Sequence, residues 1–263
     1  MPPFRHNQHS GDSRALTGLA RALSKLGICS RSQARAWIRS GRVRVNGTLI
    51  RDPEWRVSLG RDRIEMDGQN AQAEPKVYLV LNKPRGLVTT AADEQGRATV
   101  FDCLRPEPGA AAALPRVFPV GRLDKASEGL LLFTNDTQWA ARITDPASRL
   151  EKIYHVQVDC IADETLARRL ERGVQADGEL LSAKKAAVLR QGRKNSWLEI
   201  TLDEGRNRHI RRQLETLQVQ VLRLVRVSIG PLQLGTLPKG SYRHLDASEV
   251  QSLARPPGVA SPR

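Results

Sequence analysis

Residues 118–136 read F-P-V-G-R-L-D-K-A-S-E-G-L-L-L-F-T-N-D. Pro119 and Gly121 interrupt any regular element, and residues 129–134, G-L-L-L-F-T, form an apolar run that reads as a short buried strand or a helix end. Between them stands Asp124, two residues from Arg122, in a loop anchored by packed structure. Catalytic groups are commonly presented from such loops. Taken alone, an aspartate in a Gly- and Pro-rich loop is more often a turn or cap residue, because its carboxylate bonds nearby backbone N–H groups. The assignment therefore rests on what surrounds it.

The stretch resembles the signature of the ribosomal pseudouridine synthases, the branch that modifies uridines in ribosomal RNA and usually carries a small N-terminal RNA-binding domain. Two supporting positions depart from the pattern: Ser127 stands where members usually have Thr, and Thr137 where they have Gly. Neither touches the chemistry that the resemblance implies.

At 263 residues the chain accommodates one domain of roughly 180 residues and a second of roughly 60. Lys and Arg number 42 against 28 Asp and Glu, a net charge of +14, which implies a polyanionic partner, with nucleic acid the first candidate. No stretch approaches 18 consecutive apolar residues, and the N-terminus M-P-P-F-R-H-N-Q-H-S lacks the apolar core of a signal peptide. A soluble, cytoplasmic chain with no membrane partner is expected. Cys29, Cys103 and Cys160 form no C-x-x-C pair, so reduced thiols and no metal are expected. The G-x-G-x-x-G, G-K-[ST] and G-x-S-x-G motifs are absent from any strand-to-helix turn, which leaves nucleotide-cofactor, phosphate-loop and serine-hydrolase readings without their defining residues.

Near the N-terminus, Leu16, Leu19, Leu23 and Leu26 fall at helical spacing before Gly27. A second short helix follows, with Ser30 and Gln33 in the positions of a capping box and Gly41 closing it. Residues 42–47, R-V-R-V-N-G, alternate basic and apolar before an Asn-Gly turn and predict a hairpin with one basic face. Strands are expected at 56–59 and 63–66. This order resembles the S-four-type (alpha-L) RNA-binding domain, carried by K-L-G-I-C-S-R-S-Q-A and I-R-S-G-R-V-R-V-N-G. Residues 13–68 hold twelve Arg or Lys against five Asp or Glu, and Arg31, Arg35 and Arg39 share one helix face. With Arg42 and Arg44 they are the candidate phosphate contacts, which position a protein on RNA without reading sequence.

Residues 69–75, Q-N-A-Q-A-E-P, are polar and aperiodic and are expected as a flexible linker. Residues 77–81 then predict a buried strand leading to an N-K-P-R-G turn that the family also shows. Lys83 in that turn reads either as an RNA contact or as a solvated turn lysine. Residues 107–115 are compositionally biased and expected as a variable surface loop. Residues 153–158 alternate as a half-buried strand, 163–173 predict a helix closed by Gly173, and strands are expected at 184–188 and 197–202.

Lys152, Tyr154 and Val156 resemble the family's K-x-Y-x-V element, whose tyrosine stacks on the target base; on pattern alone a core tyrosine reads as well. Residues 204–214, E-G-R-N-R-H-I-R-R-Q-L, and 219–230 resemble the third family element, with His209 where Gln is common. The match implies that Arg211 pairs with Asp124, holding the carboxylate ionised and oriented, while on residue type alone a phosphate-binding helix arginine is the other reading, since Arg206, Arg208 and Arg212 crowd the same stretch. It also implies that Leu224 packs on the uracil face, though plain core is an equal reading, and that Asn207, Arg208 and Arg212 are substrate-contacting neighbours, as is Arg122.

The expected architecture is α+β: a disordered tail at 1–13, an S-four-type domain at 14–68, a linker at 69–75, and a catalytic domain at 76–253. That domain is expected to have a mixed, mainly antiparallel sheet with flanking helices, followed by a disordered tail at 254–263. By resemblance the chain is a monomeric enzyme that isomerises a uridine in ribosomal RNA, 23S in preference to 16S, free or within an assembly intermediate, to pseudouridine. Base flipping brings the base to Asp124, which acts as nucleophile or as a base on the ribose, and no cofactor is required. Two other readings remain: a non-catalytic ribosome-assembly factor that kept the fold, and an RNA glycosidase or nuclease. The latter lacks a second carboxylate beside Asp124.

Overall fold

The computed structural model describes residues 16–90, 93, 95–105 and 114–254. The tail at 1–13, most of the segment 107–115 and residues 255–263 lie outside them. The chain divides into two compact units between Pro75 and Lys76.

The first unit runs β1 (Thr17–Gly18), α1 (Leu19–Lys25), α2 (Arg31–Arg39), β2 (Val43–Val45), β3 (Thr48–Ile50), β4 (Arg56–Val57), β5 (Ile64–Met66) and β6 (Gln69–Asn70). The first helix is shorter than the leucine spacing suggests. Leu16 is exposed, and Thr17 and Gly18 pair with β4 instead of joining the helix. Ser30 caps α2 by accepting from the Gln33 backbone N–H at 3.2 Å, a bond worth about 1 kcal/mol to such a helix. The Gln33 side chain does not return the bond, since its Oε1 is buried without a partner. Leu19, Leu23, Ile38, Val43 and Ile64 build the core between the helices and the β3-β2-β5-β6 sheet. Gln69 and Asn70, expected in the linker, form the edge strand of that sheet, and the Ala71 N–H donates to the Ile64 carbonyl. Their polar side chains suit an edge, where only backbone pairing is needed.

The second unit runs β7 (Tyr78–Lys83), a short 3-10 turn (Val100–Leu104), β8 (Phe118–Val120), β9 (Glu128–Thr134), α3 (Thr137–Thr144), β10 (Lys152–Val158), α4 (Glu164–Arg172), β11 (Val174–Ala176) and β12 (Glu179–Leu181). It continues with β13 (Lys185–Gln191), β14 (Ser196–Leu202), α5 (His209–Thr216), β15 (Val221–Ile229), β16 (Leu232–Gln233), β17 (Tyr242–His244) and α6 (Ala247–Ala254). Ala254, expected in the tail, ends α6.

The sheet order is β13-β14-β10-β15-β9-β7-β17, with β16 and β8 as side branches. Every pairing in it is antiparallel except β15 with β9, which is parallel over Val225–Glu128 and Arg226–Gly129. This is the mixed, mainly antiparallel sheet of an α+β fold.

The apolar run of the opening stretch is the strand β9, buried over its whole length. Leu130 and Leu132 face one core with Trp139 and Ile143 of α3, while Leu131 and Phe133 face another with Leu79, Leu81 and Val100. A strand covered on both faces needs apolar residues at every position, so its sequence shows no alternation. Truncating one of these leucines to alanine would cost about 2–5 kcal/mol. The third core joins α4 and α5 to the other half of the sheet through Leu170, Ile210, Leu214, Val156 and Leu224.

Gly129 is required at the parallel junction. Its φ is +99°, and a Cβ there would lie 2.3 Å from the Arg226 carbonyl oxygen. No side chain fits between two backbones that close.

Candidate active site

Asp124 lies half-buried in the loop that leads into β9, directly before the parallel junction. The loop lacks regular structure, yet each of its five consecutive carbonyls from Leu123 to Ser127 accepts a hydrogen bond. Thr89 Oγ1 donates to Leu123 at 2.7 Å, and the Ser127 N–H donates to Asp124 at 2.9 Å. The Gly86 N–H donates to Lys125 at 2.8 Å, and Arg211 Nη2 to Ala126 at 3.0 Å. Lys83 Nζ donates to Ser127 at 2.8 Å and also reaches the carbonyls of Asp124 at 3.2 Å and Pro84 at 3.1 Å. A loop so held presents its carboxylate in one place, as a reacting group requires.

Lys83 corrects the expectation for the N-K-P-R-G segment. It is neither solvated nor available to RNA: it is fully buried, belongs to β7, and spends its three ammonium hydrogens on three carbonyls. Burial pushes its pKa down to about 8, against the opposing pull of the Asp124 and Glu128 charges. The sequence held a signal for this. Leu79, Leu81 and Lys83 alternate on one strand, so the lysine follows two core residues on the same face.

Arg211 comes from α5 to the same loop, but no ion pair within 4 Å links it to Asp124. Its Nη2 bonds the Ala126 carbonyl, and its Nε is buried without a partner. Burial lowers its pKa first, with Arg208 acting the same way and Asp124 opposing. The guanidinium therefore holds the loop two residues from the acid while its charge still acts on the acid. The arginine thus meets the Asp124 loop at its backbone, at the Ala126 carbonyl, in place of the direct pairing that the resemblance implies.

Arg212 is likewise corrected. It bonds Asp177, Glu179 and the Ala176 carbonyl, each at 2.8 Å, and so clamps the β11–β12 hairpin onto α5 instead of facing RNA. Glu128 corrects the reading that no second acid accompanies Asp124. It is buried, takes a two-pronged bond from Arg223 at 3.0 Å and pairs with Lys239, which together keep its carboxyl below the usual range despite burial. So engaged, it is unavailable as a second acid–base group.

Asp124 opens onto a cleft of about 690 Å³, lined by Arg122, Tyr154, Arg208, Arg211 and Leu224 among others. Tyr154 rises from β10, and Leu224 from β15 beside it in the ladder that pairs Tyr154 with Arg226 and Val156 with Leu224. Cross-strand partners share a face, so the tyrosine ring and the leucine methyls flank one space. Arg122, Asn207 and Arg208 are exposed at its rim. Arg208 precedes α5 with φ +48°, an unusual conformation for a side-chain-bearing residue and one found at sites of function. The cleft is large enough for a nucleotide and offers a flat ring, an aliphatic surface, an acid and a cationic rim.

In the first unit, Arg31 and Arg39 are exposed on α2. Arg35 meets Glu54 at 3.3 Å, Arg42 pairs with Asp67 and stacks 5.0 Å from the Trp37 ring, and Arg44 donates to the Gly47 carbonyl. All five keep exposed surface, and pairs of this kind are weak enough to exchange for a phosphate. Among the described residues no helix is long and apolar enough to cross a membrane, and no group of three or more His, Cys, Asp or Glu is placed to hold a metal.

Residues 77–216 match the family described as RNA pseudouridylate synthase, and residues 17–64 match the S4 domain. A protein of Aquifex aeolicus, named an uncharacterized RNA pseudouridine synthase, is 36% identical over 238 residues, covering 90% of this chain and 93% of its own. Ribosomal large subunit pseudouridine synthase B of Bacillus subtilis is 35% identical over 237 residues, covering 89% and 94%. A crystal structure of a pseudouridylate synthase superposes with a TM-score of 0.62 at 30% identity, covering 90% of this chain and 99% of that one.

Proposed function

The chain belongs to the RNA pseudouridylate synthase family, and on that premise we propose that it converts a specific uridine of ribosomal RNA, in 23S in preference to 16S, to pseudouridine, with Asp124 as the catalytic group. The observation that carries the proposal is the presentation of Asp124 by a loop with five consecutive bonded carbonyls, at the mouth of a cleft whose walls are Tyr154 and Leu224.

The reaction cuts the N1–C1′ bond, turns the base and rejoins it through C5, so the uridine must leave its stack and enter the cleft. Tyr154 and Leu224 receive its two faces. Asp124 attacks C1′ or removes the proton from C2′, and in either role it must be ionised and fixed. Lys83 and Arg211 serve as positioning residues for its loop. Arg122, Asn207 and Arg208 hold the backbone of the flipped nucleotide at the rim, where charge-assisted bonds to phosphate are strong. The first unit supplies non-specific affinity through Arg31, Arg35, Arg39, Arg42 and Arg44. The preference for 23S follows the name of the Bacillus relative. The chain is proposed to act as a monomer, in the cytoplasm.

Mapping of pseudouridine across both ribosomal RNAs, by carbodiimide-dependent reverse-transcription stops, tests this in cells with and without the gene. A stop lost on deletion and restored by wild type but not by Asp124→Ala names the site. An unchanged map at every uridine assigns the chain instead to ribosome assembly.

A further inference from the structure

Two cations in the wall of the cleft have no role in the chemistry described so far. Arg226 lies directly across the β10–β15 ladder from Tyr154, lines the cleft and is only 6% exposed. Its Nε donates to the Leu130 carbonyl at 2.8 Å, but its Nη2 is buried with no acceptor. An unpaired buried donor is costly and calls for a partner. Lys152 stands two residues before Tyr154, hence on the same face of β10, and lines the same cleft. It is half-buried and its Nζ makes no hydrogen bond or ion pair with the described residues. Burial first and the Arg226 charge second lower its pKa, with Asp203 opposing, so the two cations that line this cleft repel.

Two repelling cations, one of them with an open donor, form a site for negative charge. Two sources are available in a bound RNA: a phosphate, or the base. The burial gradient decides between them. Arg122, Arg206, Asn207 and Arg208 are exposed at the rim, whereas Arg226 is buried and Lys152 half-buried. A flipped nucleotide enters base first, tethered by a phosphodiester that stays with the rest of the chain. The inner cations therefore meet the base.

We propose that Arg226 and Lys152 hold the carbonyl oxygens of the uracil and stabilise the negative charge it carries while detached from the ribose. When N1–C1′ breaks, its electron pair leaves with the base, and the uracil becomes an anion whose charge spreads to O2 and O4. The ribose is balanced by Asp124, either through a new bond from its carboxylate oxygen to C1′ or by transfer of the C2′ proton to that oxygen. After the base turns, a C5 electron pair forms the bond to C1′, and Asp124 is released as it was or returns its proton to C2′. Loss of the C5 proton and gain of one at N1 complete the isomerisation. Fixed donors aimed at developing charge contribute most where water is excluded. This inference rests on the pseudouridine synthase reading, with Tyr154 and Leu224 on the base.

The test compares Lys152→Met, Arg226→Met and Arg226→Lys with wild type in single-turnover loss of the target uridine, alongside RNA affinity at two salt concentrations. The comparison is repeated with 5-fluorouridine at the target, whose electron-withdrawing fluorine itself eases charge on the departing base. Lys152→Met and Arg226→Met are expected to slow uridine loss tenfold or more with affinity within twofold. Arg226→Lys recovers part of the rate, and every deficit falls to threefold or less on 5-fluorouridine. Equal deficits on both substrates would reduce the pair to structural residues. Weakened affinity with a shallower salt dependence and an unchanged rate would make the site a phosphate site. If Arg226→Met does not fold, Lys152→Met carries the test alone, because the Lys152 side chain makes no hydrogen bond or ion pair with the described residues. Wild type inactive on every ribosomal RNA defeats the underlying reading, whereas active wild type with unaffected variants defeats this inference only.

Discussion

The loop around Asp124 and the basic surface of the first unit are both arginine- and lysine-rich neighbourhoods, but their cations do opposite work. Around Asp124, Lys83 and Arg211 are turned inward and spend their hydrogens on backbone carbonyls. In the first unit, Arg31, Arg35, Arg39, Arg42 and Arg44 stay exposed, with partners no stronger than surface carboxylates or a turn carbonyl. Positive charge builds geometry in one place and, on the proposed function, affinity in the other. Chemistry at one carboxylate tolerates little displacement, whereas phosphate attraction acts over roughly a Debye length and tolerates much.

The sharpest way to break this contrast is Asp124→Asn, which keeps the shape and removes the charge. Turnover is expected to fall at least about 10³-fold, with RNA affinity unchanged in a filter-binding titration. Full turnover in the variant would end the catalytic assignment.

Lys83→Met tests whether an inward cation acts through the loop alone. A fall in kcat of about 10²-fold is expected with little change in RNA affinity, together with faster amide exchange at residues 123–127. Wild type should show a related pH response. Above about pH 8 the ammonium loses a hydrogen that one of three carbonyls needs, so kcat declines on the alkaline side. Stability moves the other way. The folded pKa of Lys83, about 8, lies below its ordinary 10.5, so the unfolded chain binds more protons between those values, and wild type gains stability relative to Lys83→Met as pH rises through that window. Denaturant melts of both proteins at pH 7.5 and pH 10 check the sign.

Arg208→Ala and Arg212→Ala separate the residue just before α5 from one within it. Arg212→Ala is expected to cost about 1–3 kcal/mol of stability by releasing the β11–β12 hairpin and to leave RNA affinity nearly intact. Arg208→Ala should do the reverse, weakening affinity with stability unmoved. The smallest effect on chemistry is expected from Arg31, Arg35 and Arg39 changed together to Ala. Their loss should lower the slope of log affinity against log salt by roughly 2, with single-turnover rate at saturating protein unchanged.

Much of this was legible from the chain alone because it depends on local pattern. Apolar spacing and Gly stops gave α2, α4 and the first hairpin, since such periodicities report one buried face. The continuous apolar run at 129–134 marked β9, although only its two covering cores distinguish a strand from a helix end. The resemblance in three separate motifs brought Asp124, Tyr154, Arg211 and Leu224 to one site, and the structure has them lining one cleft.

What the chain by itself determined, then, is the class of fold and the excess of positive charge, because residue type and spacing carry both, and through its resemblance it offered Asp124 as the proposed acid. What only the tertiary structure decided is the direction in which each cation points. Lys83, Arg211, Arg212 and Arg226 read alike along the sequence, as basic residues in basic or turn-rich segments. Their fates diverge because an unpaired carbonyl, a carboxylate or an open cleft stands opposite each one, supplied by residues 33 to 96 positions away. Burial makes a hydrogen bond to such a partner obligatory, and no local pattern records where that partner will be.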